Sequence, residues 1–328
     1  MKKFLAMILA LAMVLCLVAC GGSGDSADAG GDAGGEAWAP DDTVTVIVAY
    51  KAGNGTDLTA RVLMQFAEKY IGQPVVIENL EGGSGAVGWT ALSQAEPDGL
   101  TIGFVNLPNF CSSIVNAADT GVMYKVSDFA PICNHVTETS CVLVAANSPF
   151  NSIEDLVAYA KENPGVLKAS TNGNQASNHI GAQMLAVTAD FEYTAIPYGG
   201  TSDQLLALRQ GEVDWSVAKV ADFASFTSEV KVLGVYNDSR LEEYPDVPTL
   251  GELGYYDQWL GSSRIICAPA GVDEEVIAFY EDAFAQIMAD PEYQEASASF
   301  ATNYMNAADT SALLQAQQSF TEGLKDIW

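Results

Sequence analysis

The stretch TVTVIVAYKAGNGTDLTAR, residues 43–61, decides how the chain is read. Its first seven residues read as a buried strand. Residues 57–70 read as a helix. Between them lies Lys51-Ala52-Gly53-Asn54-Gly55-Thr56-Asp57. Glycine lets a backbone approach a ligand and take positive φ. Thr56 or Asp57 is placed to cap the helix that follows. The first-turn N–H groups, with the helix dipole, suit an anion such as a carboxylate. A tight strand-to-helix turn with a cap and no ligand fits the same residues, so both readings stand open here.

The same punctuation recurs along the chain. Strands are predicted at 74–79, 100–106, 141–146, 167–171, 193–198, 213–218, 230–236 and 264–270. Helices are predicted at 86–95, 178–189, 202–210, 273–289 and 310–325, and in SIEDLVAYAKENP with Ser152 as N-cap and Glu154 and Asp155 in the first turn. This alternation predicts an α/β fold with mainly parallel sheet flanked by helices. In such sheets ligands bind off the C-terminal ends of the strands, so the turns after strands carry the chemistry.

Three more of these turns are rich in small polar residues. Residues 81–88, EGGSGAVG, contain GxGxxG after a strand and before a helix. A dinucleotide site also needs an acid about 20 residues on and a place after the first strand. Neither condition holds here: the next strand ends at Asn106-Leu107-Pro108. Residues 170–179, STNGNQASNH, offer hydroxyls, amides and backbone N–H groups without a carboxylate, as a solvated loop also would. Residues 197–202, PYGGTS, repeat the pattern. The turns fall in two separate strand–helix blocks, and two blocks facing one another make a cleft.

The N-terminus sets the compartment. Lys2 and Lys3 precede an apolar run over residues 4–19, the layout of a secretory signal. Leu17-Val18-Ala19-Cys20-Gly21 resembles a bacterial lipobox. That resemblance implies a signal peptide over 1–19 and lipid on Cys20, hence an extracytoplasmic, membrane-anchored protein. Residues 20–40, mostly Gly, Ala, Ser and Asp, are expected to form a flexible tether that includes Trp38.

Charge and composition exclude several functions. The chain has 42 acidic against 14 basic residues, a net charge of −28. Nucleic acid is a poor partner for such a surface. An acidic field also repels anions at long range, so an anion site must work locally. With Cys16 and Cys20 set aside, Cys111, Cys133, Cys141 and Cys267 form neither CxxC nor a zinc spacing. A Cys133–Cys141 disulfide and four free thiols are both open. His135 and His179 are the only histidines, so a metal site has little to stand on. A hydrolase would need a base and an orienting acid around a nucleophile, and no GxSxG is present.

Taken in order, YKAGNGTDLTAR (50–61), GQPVVIENLEGGSGAVG (72–88), AEPDGLTIGFVN (95–106), DFAPI (128–132), the 172–179 loop, IPYGGTSDQLLALRQGEVD (196–214), YPDVPTLGELG (244–254) and CAPAGV (267–272) match one family. The chain resembles the solute-binding proteins of tripartite tricarboxylate transporters, the TctC or Bug family, over about residues 43–328. The resemblance implies a two-domain Venus-flytrap fold. Domain 1 would comprise 41–140 plus 264–328, and domain 2 would comprise 141–263. It implies a small carboxylate ligand, no cofactor, no catalysis, and delivery to the large and small permease subunits of a tripartite transporter. A receptor feeding a membrane signalling partner is the alternative. The expected partners are thus the carboxylate, the permease subunits, and membrane lipid through Cys20, with the chain itself a monomer.

Carried over by position, the ligand-binding residues are Gly53, Asn54, Gly55, Thr56 and Asp57 in the first turn and Gly83, Ser84, Gly85 and Ala86 in the second. Asn106 follows, then Thr171, Asn172, Gly173, Asn174, Ser177 and His179, then Gly199, Gly200 and Thr201. The family's first turn usually opens with Pro; Lys51 stands here and adds a cation. Lys219, after VDWSVA, is a second candidate cation. Arg264 reads as a structural link between domains. His179 reads first as a helix-start residue bonding its own loop. Asp57 reads as orienting its turn, because it would repel a carboxylate.

Overall fold

The computed structural model describes residues 38–325. The expected signal peptide, Cys20, the tether up to residue 37 and Trp328 lie outside the described residues.

Strand β1 (Val44–Val48) is the strand of the opening quotation. Val44, Val46 and Val48 face one cluster, shared with helix α1 (Gly55–Ile71). Ile47 and Ala49 face another, around Trp89 and Leu92. Both faces are covered over residues 46–49, which is why the run turns continuously apolar there after Thr43 and Thr45. Each Val or Ile so buried contributes about 1.5–3 kcal/mol of transfer free energy.

The first lobe continues with β2 (Val75–Asn79), α2 (Ala86–Ser93), β3 (Thr101–Leu107), α3 (Asn109–Val115) and α4 (Ala117–Thr120). Strand β4 (Phe129–Ala145) leads into the second lobe: α5 (Ile153–Glu162), β5 (Lys168–Thr171), α6 (Ser177–Ala189), β6 (Thr194–Pro197), α7 (Thr201–Gln210), β7 (Trp215–Lys219), α8 (Val220–Phe223) and β8 (Val230–Val235). The chain returns through β9 (Gly261–Pro269) and closes with α9 (Glu274–Ala289), α10 (Pro291–Ala296), β10 (Thr302–Met305) and α11 (Ala307–Gly323). The strand order is β2-β1-β3-β9-β4-β7-β5-β6, with β8 and β10 both pairing β4. The second lobe is likewise covered on two faces: Val142 and Val144 pack with Trp215 and Val217, while Cys141 and Leu143 pack with Leu205 and Leu208.

Two features of the sheet depart from the sequence reading. The strand expected at 141–146 is the second half of a 17-residue strand. Its first half, FAPICNHVTET, carries Pro131, Asn134, His135 and Glu138, which mask the strand pattern. The ladder absorbs them with register shifts between Pro131 and Cys133 and between Asn134 and Val136. The sheet is also mixed. β1, β2 and β3 are parallel, as are β5, β6 and β7. β9 runs antiparallel to β3 and β4, and β4 antiparallel to β7 and β8. These are the strands that carry the chain between lobes without a crossover helix, so parallel pairing is not imposed on them.

The crossing itself is tight. Phe129–Thr139 of β4 pairs with β9, and Ser140 onward pairs with β7 and β8. Gly261 sits at the return. A Cβ there would lie 2.0 Å from the Glu138 carbonyl oxygen, so only glycine fits.

The body begins earlier than expected. Trp38, read as part of the tether, packs its ring against Phe279 at 5.4 Å and Tyr280 at 5.7 Å between centroids. The apolar area of one indole holds this segment against the body where the Gly and Ala of the neighbouring sequence offer nothing to bury. The four described cysteines are free and buried, so Cys133 and Cys141 are not paired. Among the described residues no helix is long and apolar enough to cross a membrane.

Candidate functional site

The first turn is held by its own residues. Asn54, not Thr56 or Asp57, is the N-cap of α1: its Oδ1 accepts the Thr56 N–H at 3.0 Å. Asp57 turns inward and is buried, 1% exposed. It accepts from the Gly53 N–H at 2.8 Å, Arg61 Nε at 2.9 Å and Asn79 Nδ2 at 2.9 Å. Burial by itself would raise the Asp57 pKa, but these donors outweigh it and hold the carboxyl below its usual range. Its charge is thereby satisfied behind the turn, which leaves Lys51, Gly53, Asn54 and Gly55 exposed in front. Thr56 is buried and its Oγ1 accepts from Asn106 Nδ2 at 2.8 Å.

The second turn is a 3₁₀ turn, Gly83–Gly85, leading into α2. Ser84 takes the left-handed conformation, φ 56°, uncommon for a residue with a Cβ. Its carbonyl accepts from Tyr50 Oη at 3.4 Å. The last glycine of GxGxxG, Gly88, serves packing: a Cβ there would meet Ala49 Cα at 2.7 Å. Gly83 and Ser84 are exposed, Gly85 is buried and Ala86 half-buried.

The third turn, 171–179, is propped from several elements. Asn172 Oδ1 accepts the Asn178 N–H at 3.2 Å, and Thr171 Oγ1 donates to the Gly173 carbonyl at 3.4 Å. His179 Nδ1 accepts the Gln175 N–H at 2.8 Å. Burial lowers the His179 pKa to about 4, so the ring is neutral at pH 7. Lys219 is buried beneath the loop. Its Nζ donates to Ser177 Oγ at 2.5 Å and to Asn178 Oδ1. Burial lowers its pKa to about 8 against the raising effect of Asp222 and Glu138. Asn178 Nδ2 donates to Gln204 Oε1 at 2.9 Å, and Gln204 Nε2 donates to the Val217 carbonyl at 2.7 Å. Asn174 is exposed at the loop tip.

The lobes meet at these turns. Asn109 Oδ1 accepts the Ser177 N–H at 2.9 Å, while its Nδ2 donates to Tyr50 Oη at 3.3 Å. A Cβ on Gly173 would lie 3.8 Å from Ser84 Oγ. One carboxamide, at the head of α3, thus links Tyr50, just past β1, to the head of α6. Gly199, Gly200 and Thr201 follow the edge strand β6, farther along the strand order from the first lobe than 171–179.

Sequence reasoning missed Tyr50, Asn109 and Glu138. Glu138 gave no signal, since it stands among Asn134, His135, Thr137, Thr139 and Ser140; for Asn109 there was only its place at a helix start after a strand. Arg264, read as a link, pairs with Glu138 at 2.6 Å. Burial raises the Glu138 pKa, with Arg264 opposing. His135 lies in the core, bonded to Tyr293 Oη at 2.7 Å. Burial, then the Arg264 charge, lowers its pKa to about 3, so the ring is neutral at pH 7. Among the described residues no three His, Cys, Asp or Glu side chains group to hold a metal.

Fold and site together define a two-lobed α/β binding protein. The model of the family described as tripartite tricarboxylate transporter family receptor, TctC, matches residues 59–324. A Cupriavidus necator protein described as "UPF0065 protein in gbd 5'region" is 31% identical over 272 residues, 82% of each chain. Two solved structures share the fold. MatC from Rhodopseudomonas palustris with bound malate has a TM-score of 0.77 at 23% identity, covering 87% of this chain and 99% of that one. An R. palustris protein with adipate has a TM-score of 0.77 at 21% identity, covering 88% and 97%. The chain belongs to the TctC family, whose members are solute-binding receptors and not enzymes.

Proposed function

We propose that the protein is an extracytoplasmic receptor, lipid-anchored through Cys20, that captures a small di- or tricarboxylate between its lobes. It delivers that ligand to the large and small permease subunits of a tripartite tricarboxylate-type transporter. The moving halves are 41–140 plus 264–328 and 141–263, with β4 and β9 as the crossings. The observation that carries the reading is the Tyr50–Asn109–Ser177 chain of hydrogen bonds. It joins the head of α6 in one lobe to the head of α3 and to Tyr50 in the other, and Tyr50 immediately precedes the 51–57 turn that opens α1. The heads of α1 and α6 carry positive dipole ends, which suits a carboxylate despite the net negative charge. The bound malate of MatC and the adipate of its relative support the same ligand class. Closure follows if the ligand favours the closed state over the open one.

A thermal-shift screen against mono-, di- and tricarboxylates, amino acids, sugars and nucleotides tests the reading. A ligand at 100 times its Kd adds about 2.7 kcal/mol of stability. A rise confined to carboxylates is expected. A rise with a neutral solute and none with any carboxylate overturns the ligand class. Delivery is tested by uptake in cells that lack either permease subunit, where the transported carboxylate should no longer enter.

A further inference from the structure

Below the two helix ends lies a charged pair that neither turn explains. Arg264 stands on β9 opposite Asn106 of β3 and Val136 of β4. Its Nη2 lies 2.6 Å from Glu138 Oε2, with the two side chains only 10% and 5% exposed. Arg264 Nε and Asn106 Oδ1 are buried and have no hydrogen-bond partner among the described residues. A Cβ on Gly55 would lie 3.5 Å from Arg264 Nη2, so the guanidinium abuts the exposed first turn of α1. On the other side its charge reaches Lys219, which is committed to Ser177 and Asn178 of α6.

A buried ion pair is weak evidence for stability, since desolvation offsets the attraction. A fork of five donors facing a single carboxylate, with one nitrogen unpartnered, is better explained by recognition. We propose that Arg264 is the specificity-determining residue of the site: its guanidinium, shared with Glu138 and set against the Gly55 turn, receives the second acidic group of a dicarboxylate. This rests on the carboxylate reading above, in which the helix ends hold the first acidic group. Glu138 competes for the same donors. It keeps the guanidinium in place and sets how strongly a second carboxylate is preferred over an apolar tail of equal length.

The test is calorimetric titration of the full chain with length-matched probes: succinate and butyrate, glutarate and pentanoate, adipate and hexanoate. The unaltered protein should prefer the dicarboxylate of its best pair by roughly 10- to 100-fold, the range of one charge-assisted hydrogen bond. Arg264→Gln should bring that ratio near one, Arg264→Lys should retain part of it, and Glu138→Gln should widen it. A purely structural pair would change overall affinity and leave the ratio alone. If Arg264→Gln fails to fold, the double variant Glu138→Gln/Arg264→Gln removes both charges and is read the same way. An unchanged ratio in a folded Arg264 variant overturns the proposal, as does equal affinity of the unaltered protein for both members of its best pair. Binding to none of the six probes, together with no rise in melting temperature from any tricarboxylate, instead overturns the carboxylate reading beneath it.

Discussion

The two helix ends of the proposed site are built in opposite ways. The 51–57 turn is local. Asn54 caps α1, Asp57 ties back to Gly53, and Arg61 answers Asp57 one helical turn on. Asn79 is the main outside support. The 171–179 loop is assembled from afar, with Lys219, Gln204 and Asn109 reaching it from β7, α7 and the other lobe. A self-contained turn tolerates loss of one neighbour. A loop held from three elements should fail when any one is cut, and should pass that failure to the ligand.

The sharpest break is therefore Lys219→Met. It leaves Ser177 Oγ and Asn178 Oδ1 without their donor and Glu138 with less positive charge nearby. Each buried polar group left unsatisfied costs about 1–3 kcal/mol. We expect a melting temperature several degrees lower and at least tenfold weaker carboxylate binding, by calorimetry. An equal or higher melting temperature would mean that desolvating the ammonium costs more than its bonds return.

Asn54→Ala tests the local turn. Loss of an N-cap costs about 0.5–2 kcal/mol, and the damage should stay in the first turn of α1. Hydrogen exchange should accelerate at residues 55–58 and not in α6. Faster exchange in both helices would erase the contrast between the turns. Asn109→Ala removes the bond between lobes and should cost about 0.5–1.5 kcal/mol, read as a several-fold weaker affinity with little change in melting temperature. An affinity that does not move would detach the Tyr50–Asn109–Ser177 chain from closure.

The smallest effect is in pH. The folded Asp57 pKa is depressed below the unfolded value of about 3.9. Its stabilisation is present above that value and is lost as pH falls through the folded pKa. The melting-temperature difference between the unaltered protein and Asp57→Asn should shrink as pH drops from about 6 to about 3. A gap that stays constant would show that Asp57 does not titrate differently on folding.

The contrast also marks what the sequence could disclose. The apolar run 43–49 and the glycines after it fixed strand, turn and helix, because those signals sit within a few residues of one another. Asp57 as an orienting residue was legible for the same reason. Lys219 was flagged only as a candidate cation, and its true partners, Ser177 and Asn178, lie about 40 positions away. The first half of β4 was hidden because its polar residues face partners on β9 and β10 that local periodicity cannot see. Strand direction was hidden too, since a strand returning between lobes reads like any other. Trp38 was misplaced because Gly and Ala around it look like linker, and the residues that give the ring a place to pack, Gly99, Phe279 and Tyr280, lie far along the chain.

The most direct measurement is a crystal structure of the protein with the carboxylate that raises its melting temperature most. The account predicts carboxylate oxygens within about 2.7–3.2 Å of the Gly55 backbone N–H and of donors in 172–178, with both helix ends engaged at once. A carboxylate held by one lobe alone, or bound away from both helix ends, would contradict it.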